Sequence, residues 1–117
     1  MARRMRNVGN RDANEPEIVA EFERLGFYVI RMPRDAGFDL LCLGEDNIKM
    51  LVEVKNPEYS AKLTEKEIEF LYKCQSKDIS YYVILDVSSV KIFVEMEIDY
   101  AKRTIQIRSN PQARLRL

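Results

Sequence analysis

Asp39, Glu53 and Lys55 stand inside segments otherwise filled by Leu, Ile, Met and Val, in the stretch GFDLLCLGEDNIKMLVEVK from Gly37 to Lys55. The stretch has the pattern of two apolar strands joined by a polar turn. Alternation along a strand sends Glu53 and Lys55 to one face and Val52 and Val54 to the other. Two carboxylates and an ammonium can then meet at one end of a strand pair. Hard divalent cations take oxygen ligands, and a Mg²⁺ ion between Asp39 and Glu53 would offset the repulsion between them. With Lys55 beside an attacking water, this is the set of groups that cleavage of a phosphodiester bond calls for.

Other chemistries are excluded. The chain has no histidine, so neither a histidine-based nuclease mechanism nor a cysteine nucleophile with a histidine base is open to it. Cys42 and Cys74 have neither metal-ligand spacing nor the density of a secreted disulfide scaffold, and are expected as free buried thiols.

The elements that must position these groups follow from the pattern. Asp12 or Asn14 is placed to cap a first helix, with Glu15, Pro16 and Glu17 in its first turn and Gly26 as its stop after about Leu25. Ile18, Val19, Phe22 and Leu25 share one face of it. Glu15 lies close to that face, and either points inward across the sheet or is a solvated acid favoured by the helix dipole. Strands are predicted over about 27–32, 38–43 and 48–55, the last broken by Asn56 and Pro57. After the polar loop NPEYSAK, Thr64 and Glu67 form a capping box that opens a second helix over 63–77. Ile68, Leu71 and Tyr72 are its expected apolar stripe, with Phe70 peripheral and Glu65, Glu67 and Glu69 facing solvent. SYYVILDV, VKIFVEMEI and RTIQIR read as later strands, and SNPQARLRL, from about 109 to 117, as a basic tail. The order implies an α/β fold with a central mixed β-sheet covered by the two helices.

At 117 residues the chain suits one domain with a modest core. No apolar run approaches the roughly 20 residues that span a bilayer, and MARRMRNVGN lacks the apolar core of a signal peptide. A soluble, intracellular, cytoplasmic protein is expected. Its 19 basic and 19 acidic residues cancel, but unevenly. Residues 1–11, a basic arm, hold four Arg and no acid, and residues 101–117 hold five Lys or Arg and no acid. Residues 12–100 therefore carry ten basic against 19 acidic residues, a net charge of −9. Basic ends on an acidic body can touch phosphates while the body collects cations.

Glu15 on its helix, GFDLL and LVEVK together resemble the PD-(D/E)XK nuclease superfamily, in particular small archaeal Holliday-junction resolvases and virus-type replication-repair (VRR-NUC) nuclease domains. Small phage-type members share a DANEPEIV-like start, VEVK and a following KLT helix, so the likeness covers about residues 11–75. It implies a restriction-endonuclease-like core and a metal-dependent endonuclease acting on DNA, with branched or junction DNA as a substrate. It also implies Mg²⁺, with Mn²⁺ able to substitute, and a homodimer; no organic cofactor is expected, and the exposed face of a late strand such as VKIFVEMEI is expected to supply the dimer interface. The resemblance would make Glu15 a helix-borne metal ligand, Asp39 the central ligand, Glu53 the second carboxylate and the Val54 carbonyl a further oxygen. Lys55 would orient or help deprotonate the attacking water and stabilise charge in the transition state. Phe38 stands where the family often has Pro, and Glu67 roughly where relatives often carry Gln.

For DNA contacts we expect Arg11, Arg34 and Lys62, with Tyr59 and Ser60 in the loop after the third strand. Such phosphate contacts position a duplex without reading its sequence. Two other readings stay open: a non-catalytic nucleic-acid-binding module that keeps the fold, and a structural subunit whose pattern merely coincides with the motif. Buried acids that repel phosphate serve neither.

Overall fold

A computed structural model describes residues 13–109, so the capping candidate Asp12, the DNA-contact candidate Arg11 and most of both basic ends lie outside the described residues. The elements in chain order are α1 (Glu15–Arg24), β1 (Tyr28–Arg31), β2 (Leu40–Leu43), β3 (Lys49–Val54), α2 (Glu65–Ser76), β4 (Tyr81–Ile84) and α3 (Val87–Ser109). The strands form one mixed sheet in the order β1-β2-β3-β4; β1, β2 and β3 are antiparallel neighbours, and β4 runs parallel to β3. This is the α/β class expected. No helix among the described residues is long and apolar enough to cross a membrane.

Local signals explain most of the boundaries. Gly26, at φ +94°, ends α1: its N–H donates to Glu23 O and the Phe27 N–H to Phe22 O, while the Phe22 and Phe27 rings meet edge to face at 5.5 Å. The turn between β2 and β3 places Asp46 and Asn47 at positive φ, as a tight hairpin turn of the primed type requires. Thr64 and Glu67 form the capping box of α2 in full. Asn14 does sit at the N-cap of α1, but its side chain makes no capping bond.

The register sorts the side chains onto two faces. Leu40, Cys42, Met50, Val52, Val54 and Ile84 share one face and are fully buried beneath Ile18 and Phe22 of α1 and Val90 and Val94 of α3. The opposite face, with Leu41, Leu51 and Tyr81, is only half-buried, because α2 alone covers it. That partial cover leaves room for a cleft.

Three expectations are corrected. VKIFVEMEI is not a strand but lies within α3, where Val90, Phe93, Val94, Glu97 and Ala101 recur at helical spacing and turn inward. The backbone of RTIQIR continues the same helix. VKIFVEMEI therefore offers no strand face for a dimer. On α2, Ile68 and Tyr72 face solvent, and the inward face is Glu67, Phe70, Leu71 and Cys74. Cys42 and Cys74 are free and buried, as expected.

Candidate active site

The turn between β1 and β2, the end of β3 and the first turn of α2 enclose a cleft of about 800 Å³. Pro33, Arg34, Asp35, Gly37, Phe38, Asp39, Glu53, Thr64, Lys66 and Glu67 line it. Gly37 is required twice over: its φ is +98°, and a Cβ there would lie 3.0 Å from the Phe70 ring. This close approach lets Phe38 stack on Phe70 at 5.6 Å.

Asp39 is fixed on three sides. Its N–H donates to Val52 O at 2.9 Å, its carbonyl accepts from Met32 N at 2.8 Å, and its carboxylate Oδ2 accepts from Val54 N at 2.8 Å. Because Leu40 pairs with Val52, the next position along brings Asp39 opposite Glu53. Glu53 is 5% exposed. Burial first, then the neighbouring charges of Asp39 and Glu67, push its pKa up to about 9 against the countervailing pull of Lys55. Two carboxyl groups so placed do not both ionise near neutral pH without a further cation.

Lys55 Nζ lies 3.5 Å from Glu53 Oε2 and 2.8 Å from Glu67 Oε1. Burial disfavours its charge, but the bonds and charges of Glu67 and Glu53 together outweigh this, and its pKa stands above the ordinary lysine value. Burial likewise opposes the charge of Glu67, and the bonds from Lys55 and the Thr64 N–H overcome it, leaving its carboxylate below the usual range. Glu67 Oε1 thus receives both the helix cap and the lysine, each at 2.8 Å. The expectation that Glu67 is a solvated residue is corrected. Position N3 of a capping box turns its side chain back toward the helix start, so the residue caps α2 and faces the cleft with one group.

The remaining candidates sit elsewhere. Glu15 is 1% exposed and starts α1 on the far face of the sheet; its Oε2 lies 3.2 Å from Arg31 Nε on the edge strand β1, and it does not line the cleft. Val54 ends β3 and meets Asp39 through its N–H. Arg34 lines the cleft; Tyr59, Ser60 and Lys62 do not. Those three are exposed around a tight turn in which the Tyr59 and Ser60 N–H groups donate to Asn56 O and the Lys62 N–H to Ser60 Oγ.

Sequence reasoning passed over three further residues. Lys66 faces the cleft from the first turn of α2. Asn14 reaches across the sheet end: its Nδ2 donates to Leu85 O at 2.9 Å and Lys55 O at 3.2 Å, tying α1 to the ends of two parallel strands. Tyr81, on the cleft side of β4, has a buried hydroxyl with no hydrogen-bond partner among the described residues, an omission that costs about 1–3 kcal/mol. Burial raises its pKa, and Glu53, Glu67 and Asp39 raise it further. The next residue behaves oppositely, for the Tyr82 hydroxyl donates to Glu97 Oε1 at 2.8 Å on the far face. No local sequence signal separates the two tyrosines.

Among the described residues no group of three or more His, Cys, Asp and Glu side chains gathers into a metal cage. Mg²⁺ needs less, since it is commonly held by one or two carboxylates and keeps several waters. The all-oxygen pair of Asp39 and Glu53, which calls for a cation to ionise fully, fits that mode.

No family model and no curated protein sequence matches the chain. Among solved structures it is similar to one described as a VRR_NUC domain, with a TM-score of 0.60 and 19% sequence identity, over 69% of this chain and 89% of that one. The likeness is one of fold.

Proposed function

We propose that this chain is a metal-dependent nuclease that hydrolyses DNA phosphodiester bonds in the cleft floored by Asp39 and Glu53. The observation that carries the reading is the meeting of half-buried Asp39 and Lys55 with buried Glu53 at one strand end, open to a cleft with Arg34 and Lys66 on its walls. A fold shared with a VRR_NUC domain supports it.

Asp39 and Glu53 would hold Mg²⁺, with Mn²⁺ able to substitute, and the ion supplies Lewis acidity and a more acidic water. For this Glu53 gives up the proton that burial leaves on it. The ligand set expected from the sequence also holds the Val54 carbonyl and Glu15; Glu15, paired with Arg31 on the far face of the sheet, would reach the ion only by leaving both that partner and that face. Lys55 stays protonated beside Glu67, so it serves by its charge, facing the negative charge that grows on the phosphoryl oxygens, and takes no proton from water. Arg34 and Lys66 meet flanking phosphates. Cations on two walls grip backbone and not bases, which supports selection by DNA shape, branched or four-way, over selection by sequence.

The test is cleavage of a labelled four-way junction and a matched linear duplex with Mg²⁺, with Mn²⁺ and with chelator, wild type beside Glu53→Ala. Metal-dependent cutting that is lost in the variant is expected, and the ratio of the two substrates reads the selectivity. One observation favours a second reading, a binding module without catalysis: no three-acid cage gathers among the described residues. Wild type that binds both substrates and cuts neither under any metal would replace the first reading with that one.

A further inference from the structure

Among the described residues, the Tyr81 hydroxyl is a buried polar group without a hydrogen-bond partner that the reaction as drawn does not use. Its ring is fixed by Phe70, edge to face at 5.6 Å, and by its place on β4, where it pairs with Leu51. Glu53 is two residues beyond Leu51 on the same face, the diagonal position that a long aromatic side chain reaches. Of the nearby acids, Glu67 already takes Lys55 and the Thr64 N–H at one oxygen, and Asp39 takes Val54 N. Glu53 has Lys55 at a long 3.5 Å and a side-chain bond to Glu67, which leaves acceptor capacity on its carboxyl group to spare. A donor and an acceptor on one buried face, too far apart for a direct bond, can be bridged by a water where the site is polar and open to a cleft.

We propose that Tyr81 is a positioning residue of the cleft, its hydroxyl donating through one bridging water to the Glu53 carboxyl group and so holding that group against Asp39. The catalytic part of this rests on the nuclease reading; the hydrogen-bonded link does not.

Tyr81→Phe removes the hydroxyl alone. We expect its Tm to stay within a few degrees of wild type, since one water-mediated bond is lost while a hydroxyl no longer has to be buried. We expect kcat to fall about tenfold with KM unchanged, the scale of losing a partner that orients a ligand. Loss of activity beside nearly unchanged stability is a pairing that a packing role alone does not produce. An unchanged kcat in an active enzyme overturns the proposal. Independently of activity, the side-chain carboxyl ¹³C resonance of Glu53, assigned with Glu53→Gln, is compared between wild type and Tyr81→Phe. Displacement of that one resonance supports the link, and an identical shift overturns it. Wild type that cuts no DNA, with the resonance displaced, sinks the nuclease reading and leaves the link standing.

Discussion

Glu67 does two jobs with one oxygen, and the two can be separated. Gln serves position N3 of a capping box as well as Glu does, so Glu67→Gln keeps the cap and removes the charge that faces Lys55. We expect it to melt with wild type while single-turnover cleavage slows about tenfold; Glu67→Ala should lose the cap as well, about 1 kcal/mol of stability. Equal cleavage rates in wild type and Glu67→Gln would strip Glu67 of its role at Lys55. Glu53 gives a pH signature. Its pKa rises from 4.5 unfolded to about 9 folded, so folding takes up a proton between those values. The stability it contributes is full below about pH 4.5 and lost as pH rises toward 9. Glu53→Gln, uncharged throughout, should therefore gain in stability over wild type as pH is raised from about 5 to about 9, by on the order of 1–3 kcal/mol, read as a rising Tm difference. Melting curves that stay parallel over this range would contradict a buried neutral Glu53. Asp39, Glu53 and Lys55 were legible because charge inside apolar strands is conspicuous. Glu67 was not, because its capping role accounts for it completely in one dimension.

At the level of elements, α1, the β2–β3 hairpin and α2 announce themselves through caps and turns, and the strands through short apolar runs. The failure was α3. VKIFVEMEI is rich in β-branched and aromatic residues, and its charges at 91, 95 and 97 all fall on alternate positions as a strand would have them, whereas only 91 and 95 share a helical face. What decides it lies just upstream. The Asp86 carboxylate accepts from the Ser89 N–H at 3.0 Å and from the hydroxyls of Ser88 and Ser89, an N-cap that begins a helix where the strand reading ran on to Val87. These bonds, the Ser89 hydroxyl foremost, hold the Asp86 pKa below its ordinary value. Asp86→Ala should lower Tm at neutral pH, and the difference from wild type should vanish as the pH falls through the range where Asp86 protonates. A deficit that persisted in acid would assign the loss to something other than the cap. The α2 stripe was misjudged for a related reason. Ile68 and Tyr72 are apolar, but the box at Thr64 and Glu67 fixes the rotation of the helix and sends Phe70, Leu71 and Cys74 inward.

The whole molecule is a half-covered sheet with an acidic body and basic ends. Residues 1–11 add four arginines and no acid, so their removal should weaken DNA binding and reduce the slope of log affinity against log salt by up to about 4. An unchanged slope would mean the arm never meets phosphate. With the strand face gone, a homodimer would pair through α3, where Ile92 and Met96 are exposed one turn apart; light scattering of wild type and Met96→Lys, with and without DNA, checks it, and a monomer in every case removes it. The fold class was legible because register and alternation decide which face each strand buries. The bond from Asn14 was not, since its acceptors lie 41 and 71 residues away. Those separations give this side chain a place in time. Its two amide protons have nowhere native to go until β3 and β4 are aligned and α1 has docked on their ends, so they report the last closure of the chain. In hydrogen exchange they should be released only in the opening that separates the two strands, and slow exchange there would clock how long Lys55 stays in register.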